Sequence, residues 1–241
     1  MSVTLYARFK MGSMKTNLII GASSGIGYSL AQQLLAKGES VISLSRTPPA
    51  LENVEHHFYN AVSTDALPDI QTPIDSIVYC PGSINLRPFR SLKSGDFLQD
   101  WQLNVMGAIN CIQKYYPNLS ASENASILLF STVAVQTGMP FHASVATSKG
   151  AIEGLTRSLA AEFAPKVRVN CIAPSLTNTP LADKLTNTPA KIDIAALRHP
   201  LKKIGDPAQV AAMAAFLLSA DAAFITGQII HLDGGMSAIR L

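Results

Sequence analysis

Between the apolar run Leu18-Ile19-Ile20 and a stretch of helical periodicity lies Gly21-Ala22-Ser23-Ser24-Gly25-Ile26-Gly27. The chain must leave a buried strand, turn within a few residues and enter a helix. Gly21 permits the tight turn, Gly25 lets backbone N–H groups reach an anion, and Gly27 lets helix and strand approach closely. The helix opened by Ile26 then presents its unpaired donors, an arrangement suited to a diphosphate. The spacing is G-x-x-x-G-x-G, not the commoner G-x-G-x-x-G. Three glycines alone are a weak signal; with a strand before and a helix after, they predict a dinucleotide-binding turn.

Apolar strands alternate with helical patterns along the rest of the chain, which predicts an α/β fold. The expected form is a single Rossmann-type, doubly wound domain: a parallel sheet of about seven strands with helices on both faces. Strands are expected over 17–21, 40–45, 57–61, 76–80, 125–131, 167–172 and 228–232, the third only weakly marked. Apolar residues at 26, 30, 34 and 35 give the first helix one buried stripe, and Gly38 ends it. Longer helices are expected over 96–116 and 148–163, and another over 207–219. Residues 175–204 are polar, rich in Thr and without a period, and are expected to form a mobile lid.

The 241 residues suit one domain, expected over 17–241 after a flexible leader at 1–16. The leader carries Arg8, Lys10 and Lys15 but no apolar run of secretory length, and Met11 and Met14 are alternative starts. The net charge of +3 is small and its basic residues are scattered, which argues against a nucleic-acid partner. The longest apolar stretch, 210–218, is too short to span a bilayer, so a cytoplasmic protein without membrane contact is expected. Cys80, Cys111 and Cys171 lack metal-ligand spacing and read as free thiols in a reducing compartment. His56 and His57 are adjacent, so on a strand they point to opposite faces; His199 and His231 stand alone, and no metal is expected.

Further motifs follow the glycine turn in order. They are Leu103-Asn104-Val105-Met106-Gly107, Phe130-Ser131-Thr132, Ser148-Lys149-Gly150 and Pro174-Ser175-Leu176-Thr177-Asn178-Thr179. The last is the tail from Ile225-Thr226-Gly227-Gln228 to Asp233-Gly234-Gly235. With the turn they make the chain, from Asn17 to Gly235, resemble the short-chain dehydrogenase/reductase family. By that resemblance Asn104 is the family's helix asparagine, Thr132 takes its active-site serine position, and Lys149 is its lysine. A dinucleotide is implied at Gly21, Ser23, Ser24, Gly25, Ile26 and Gly27. Further contacts are implied from Ser45, Arg46, Gly82 and Lys149, and from Pro174, Thr177 and Thr179.

The departures carry equal weight. Val145 stands where the family has its proton-donating tyrosine, four residues before Lys149. The family's Asn-Asn-Ala-Gly is Tyr79-Cys80-Pro81-Gly82 here; Pro81 has no N–H, so that loop must be bonded differently. Ser175 replaces a glycine, and the short span between the second and fourth strands implies a missing surface helix. Where NAD-using members carry an acidic residue after the second strand, this chain has Ser45 and then Arg46. A carboxylate would repel a 2′-phosphate and Arg46 can grip one, so NADP(H) is favoured over NAD(H).

In the family, hydride moves to or from the nicotinamide while Tyr exchanges a proton with the substrate oxygen. Lys lowers the Tyr pKa and binds the ribose, and Asn supports a water relay. Valine has no ionisable proton. His142, seven residues before Lys149, lies at the offset where the enoyl-thioester reductases of the family place their tyrosine, and imidazole is a competent acid near neutral pH. Lys149 acting through water, with the Thr132 hydroxyl on the substrate oxygen, is a second repair; Tyr79 reads as core. The leading expectation is an NADP(H)-dependent reductase of a carbonyl or an activated C=C bond, with Lys149, Thr132, Asn104 and His142 as working residues. The alternative is an inactive relative that binds a dinucleotide as sensor or scaffold. Charged residues are only 15% of the chain, and Trp101, Val105, Ile109 and Ile112 make the 96–116 helix apolar. Family members pair such helices with their copies, so a homodimer or homotetramer through 96–116 and 148–163 is expected.

Overall fold

A computed structural model describes residues 14–63, 66–119, 122 and 125–240. Most of the expected leader lies outside them. Its last residue, Thr16, already belongs to β1 (Thr16–Ile20), whose four following positions are all buried. The elements continue with α1 (Gly25–Ala36), β2 (Ser40–Ser45), β3 (Val54–Phe58), β4 (Ser76–Tyr79), α2 (Ser94–Trp101) and α3 (Gly107–Leu119). Then come β5 (Ala125–Phe130), α4 (Val133–Thr137), α5 (Ala143–Phe163), β6 (Val167–Pro174), α6 (Asp183–Thr186), α7 (Pro189–Leu197), α8 (Pro207–Leu218) and β7 (Ile229–Leu232).

The seven strands form one sheet in the order β3-β2-β1-β4-β5-β6-β7, and every pairing is parallel. Side-chain alternation divides the core. Leu18, Ile20, Ile77, Tyr79, Ile127 and Leu129 point to one face, where Ala108, Cys111, Ile112 and Tyr115 of α3 cover them. Ile19, Val78, Leu128 and Phe130 point to the other, against Leu30 and Leu34 of α1 and Val210, Ala214 and Leu217 of α8. A sheet covered on both faces needs apolar runs in its central strands, which is why those strands were plain in the sequence. No helix among the described residues is long and apolar enough to cross a membrane.

Several boundaries differ from expectation. The third strand is 54–58 rather than 57–61, with Val54 opposite Val41 and Phe58 opposite Ser45. It is the sheet edge and only half-buried, so its apolar pattern is faint. The helix expected over 96–116 is α2, a π-helical turn (Gln102–Met106) and α3, which runs through Pro117 to Leu119. The second long helix starts at Ala143, not 148, so Ser144 and Val145 are helical. The 175–204 segment holds a 3₁₀ turn (Pro180–Ala182), α6 and α7. α7 has Pro189 in its first turn and Thr188 as its N-cap, with Oγ1 accepting from Lys191 N, but both helices are too short to print a period. Between β2 and β4 no helix occurs among the described residues, as the short span implies. Val105 and Ile112, expected on a partner-facing surface, are buried against the chain's own sheet; Trp101, by contrast, is 41% exposed.

Candidate active site

Strand order reverses between β1 and β4, where neighbouring connections leave in opposite directions and open a crevice at the strand C-termini. The glycine turn lies there. Gly21 and Gly25 have φ of +85° and +59°, which a side chain would strain, and a β-carbon on Gly27 would strike the Gly21 carbonyl. Ser24 is the N-cap of α1, and Ser23 precedes it in the turn. No acidic side chain occupies the helix's first turn, so its unpaired N–H groups face the crevice without an internal counter-charge. Pro81 packs over this turn: its Cδ would lie 3.3 Å from a β-carbon on Gly21. The proline loop is thus fixed by this contact and by Cys80 N, which donates to the Ile20 carbonyl at 3.0 Å. At the end of β2, Ser45 is buried and gives its hydroxyl to the Thr47 carbonyl at 2.7 Å, while Arg46 is exposed.

Lys149 and Asn104 meet beneath the β4 loop. Lys149 is only 6% exposed, and its Nζ donates to the Phe130 carbonyl at 2.8 Å. Burial pulls its pKa from 10.5 down to about 8, against smaller opposing effects of Cys171, Cys80 and Asp100. Asn104 sits in the π-helical turn. Its Nδ2 donates to the Asp100 carbonyl at 2.8 Å and to the Ser83 and Ser148 hydroxyls at 3.1 and 3.3 Å. Its Oδ1 is buried with no hydrogen-bond partner among the described residues. The turn has a visible cause. The Tyr79 hydroxyl donates to the Leu103 carbonyl at 2.6 Å, and Gly107 lets the phenol in, since a β-carbon there would collide with it. Tyr79 is therefore core, as expected, with its hydroxyl satisfied.

A cavity of about 470 Å³ opens above these residues. Its wall includes Ile26, Gly82, Thr132, His142, Val145 and Lys149. Thr132 is the N-cap of α4, its Oγ1 accepting from Ala134 N at 3.3 Å. His142, Val145 and Lys149 follow at helical spacing along the start of α5, so one face of that helix carries all three into the cavity. The His142 Nδ1 lies 2.7 Å from the Pro140 carbonyl. A carbonyl only accepts, so Nδ1 holds the proton and Nε2 is free in the neutral ring. Beyond β6, Pro174, Thr177 and Thr179 form the opposite rim. Thr177 gives its hydroxyl to the Ser175 carbonyl at 3.0 Å, and the Thr179 side chain lies 3.4 Å from where a β-carbon of Gly25 would be.

The site thus unites the connections that follow β1, β4, β5 and β6 with Asn104 of the π-helical turn and Lys149 of α5. A family model described as enoyl-(acyl carrier protein) reductase matches residues 59–237. The chain belongs to the short-chain dehydrogenase/reductase family. This short-chain dehydrogenase/reductase is 30% identical to a tropinone reductase homolog of Datura stramonium, covering 91% of each chain. It is also 30% identical to a 3-oxoacyl-acyl-carrier-protein reductase of Thermotoga maritima, covering 92% of this chain and 97% of that one. Its backbone superposes on the aldohexose dehydrogenase of Thermoplasma acidophilum with a TM-score of 0.85 at 28% identity, over 94% of this chain and 95% of that one.

The dehydrogenase/reductase also has polar groups at this site that its sequence did not reveal. Asp100, 3% exposed, accepts from the Ser83 hydroxyl at 2.6 Å and the Ser144 hydroxyl at 2.5 Å. Ser175 and His199, on the far wall, touch one another. Ser175 belongs to a motif and Ser83 follows one, but their partners come from distant segments, which spacing along the chain cannot signal.

Proposed function

We propose that this chain is an NADP(H)-dependent oxidoreductase that reduces a carbonyl or an activated C=C bond. The observation that carries the reading is the single cavity whose wall joins Ile26 of the glycine turn, Gly82, Lys149 and Thr132. Three features fit a dinucleotide: the uncountered N-terminus of α1, the unpartnered Asn104 Oδ1, and the absence of an acidic side chain at the end of β2. Gly21, Ser23, Ser24, Gly25, Ile26 and Gly27 would receive the diphosphate. Ser45 and Arg46 would take the adenosine side, with Arg46 on a 2′-phosphate. Gly82, Lys149, Pro174, Thr177 and Thr179 would flank the ribose and ring. When bound, the dinucleotide supplies hydride.

Asn104 and Lys149 set the polar floor, and Thr132 offers a hydroxyl to a developing oxyanion. Val145 occupies the place of the family's tyrosine, so proton delivery falls to other polar groups of the wall, His142, Lys149 and Thr132 among them. Val145 also favours a second reading, a relative that holds the dinucleotide without turnover. Assembly as a homodimer or homotetramer through the outer faces of α2, α3 and α5 is supported by the exposed Leu98 and Trp101.

The test is a fluorescence titration with NADPH and NADH, followed by NADPH oxidation in the presence of simple ketones and enoyl thioesters. Binding with turnover supports the reductase, and binding without turnover on any of them supports the second reading. No binding to either nucleotide overturns both.

A further inference from the structure

His199 follows α7 and is 2% exposed, yet both ring nitrogens are engaged. Nδ1 lies 2.9 Å from the Ala195 carbonyl oxygen and Nε2 lies 2.9 Å from Ser175 Oγ. The carbonyl can only accept, so Nδ1 carries the proton and the neutral ring leaves Nε2 as a bare acceptor. The Ser175 hydroxyl must then donate to it. Both partners are held firmly. His199 N donates to the Ala196 carbonyl at 3.0 Å, and a β-carbon on Gly234 would touch His199 Cβ at 3.5 Å. Ser175 N donates to the Leu232 carbonyl at 3.2 Å, and its own carbonyl accepts from Thr177. Both residues line the cavity that holds Val145 and Lys149.

Other groups in that wall lack this arrangement. Lys149 is directed at the Phe130 carbonyl, and the Thr132 hydroxyl oxygen caps α4. His142 has a free Nε2 but no hydroxyl bonded to it among the described residues. Ser175 is a wall hydroxyl backed by an oriented base, the relation that activates an O–H for transfer.

We propose that Ser175 and His199 form the proton-transfer pair of this cavity, with Ser175 facing the substrate and His199 behind it. The proposal rests on the oxidoreductase reading. In the resting pair the hydroxyl donates to Nε2. Protonation of the ring reverses that hydrogen bond, because Nε2–H must now donate to Oγ, and the serine proton turns toward the cavity. As hydride adds to the electrophilic carbon of the substrate, the π-electron pair moves to the carbonyl oxygen, or to the α-carbon of an activated C=C bond. That atom takes the Ser175 proton, the Nε2–H bond breaks to restore the serine hydroxyl, and His199 is left neutral. Solvent recharges the ring when product leaves. Titratable and charged groups that share the cavity wall with the pair are His142, Lys149, Lys184, Lys191 and Arg198, and Asp233 precedes Gly234, which lies against His199. The substitutions below leave all of them in place.

The test has two arms on the full chain. In the first, nitrogen NMR of histidine-labelled protein, assigned with His199→Gln, reads the His199 tautomer at high pH. The expected result is the Nδ1–H form, with a shift of the Nε2 resonance in Ser175→Ala; an Nε2–H ring overturns the pair. In the second, NADPH oxidation is followed with acetoacetyl and crotonoyl thioesters. Ser175→Ala and His199→Gln should each lower kcat by about 100-fold or more, with NADPH affinity and KM within about threefold. Ser175→Thr should recover part of the loss, and His199→Gln should remove one limb of the kcat against pH profile. A Ser175→Ala variant with wild-type kcat, in a chain that binds and oxidises NADPH, overturns the pair alone. A wild-type chain that binds no NADPH overturns the oxidoreductase reading, while the tautomer still reports whether the pair is built as described.

Discussion

Lys149 Nζ and Asn104 Oδ1 face one point in space, the missing β-carbon of Gly82, from which they lie 3.6 and 3.7 Å. These are ordinary contact distances, so a methyl group fits there without moving the backbone. It would occupy the approach to both polar atoms. Gly82→Ala should therefore unfold within about 1 kcal/mol of the parent, in line with substitutions that neither clash nor leave a cavity. Its NADPH affinity should fall at least tenfold in a fluorescence titration. Unchanged affinity would place the nucleotide away from this point.

Burial of Lys149 makes stability depend on pH in a defined window. The folded pKa is about 8 against 10.5 for the free side chain, so between those values the unfolded chain binds the extra proton. Stability then rises with pH across the window, and the penalty of the buried charge is fully felt below pH 8. A difference of this size corresponds to on the order of 3 kcal/mol. Urea unfolding of the parent and of Lys149→Met, compared from pH 7 to pH 10.5, should show the parent gaining on the variant by about that amount. Parallel curves would mean that the ammonium is solvated.

Asp100 holds two hydroxyls on one buried carboxylate. Asp100→Ala leaves Ser83 without its acceptor and Ser144 with only the Asp96 carbonyl at 3.3 Å, and should cost about 1–3 kcal/mol in chemical denaturation. Asp100→Asn keeps one acceptor oxygen and should lose clearly less. Because Asp100 is among the groups that raise the Lys149 pKa, the Asn variant should also move that lysine's titration further down.

Val145→Tyr places a phenol between His142 and Lys149 on the cavity face of α5. With Asn104, Thr132 and Lys149 already around it, the variant should show at least tenfold higher carbonyl reduction than the parent in an NADPH oxidation assay. A silent variant that still binds NADPH would show that the substrate lies out of reach of residue 145.

Arg46 is exposed just beyond β2, with Ser45 turned inward to the Thr47 carbonyl. Arg46→Asp should weaken NADPH at least tenfold and strengthen NADH, because a carboxylate repels a 2′-phosphate and accepts from ribose hydroxyls. Calorimetry that returns equal NADPH affinity for both forms would assign the phosphate to another cation.

What the sequence conveyed follows from what repeats along it. Leu18-Ile19-Ile20 and Ile127-Leu128-Leu129 are buried on both sides, so the central strands announce themselves and fix the fold class. The edge strand at Val54–Phe58 is wet on one side and paired on one side, and its boundaries blurred. The turn at Gln102–Met106 was invisible because the tyrosine that shapes it lies on another element. Gly21, Gly25, Asn104, Thr132 and Lys149 were legible as motif members. The pairing of Ser175, itself a motif member, with His199 was not, since twenty-four positions separate them and only the fold brings the end of β6 against the turn after α7.

The phenol of Tyr79 pegs the helical layer to the sheet at one spot. Its oxygen occupies the carbonyl of Leu103 and the space where Gly107 has no side chain, directly flanking Asn104. Neither member of this joint can be exchanged alone: a larger residue at 107 has no room while the ring is there, and a shorter one at 79 abandons a carbonyl inside the core. Drift at either position is therefore tied to the other, and the seating of the asparagine is inherited as a set rather than residue by residue.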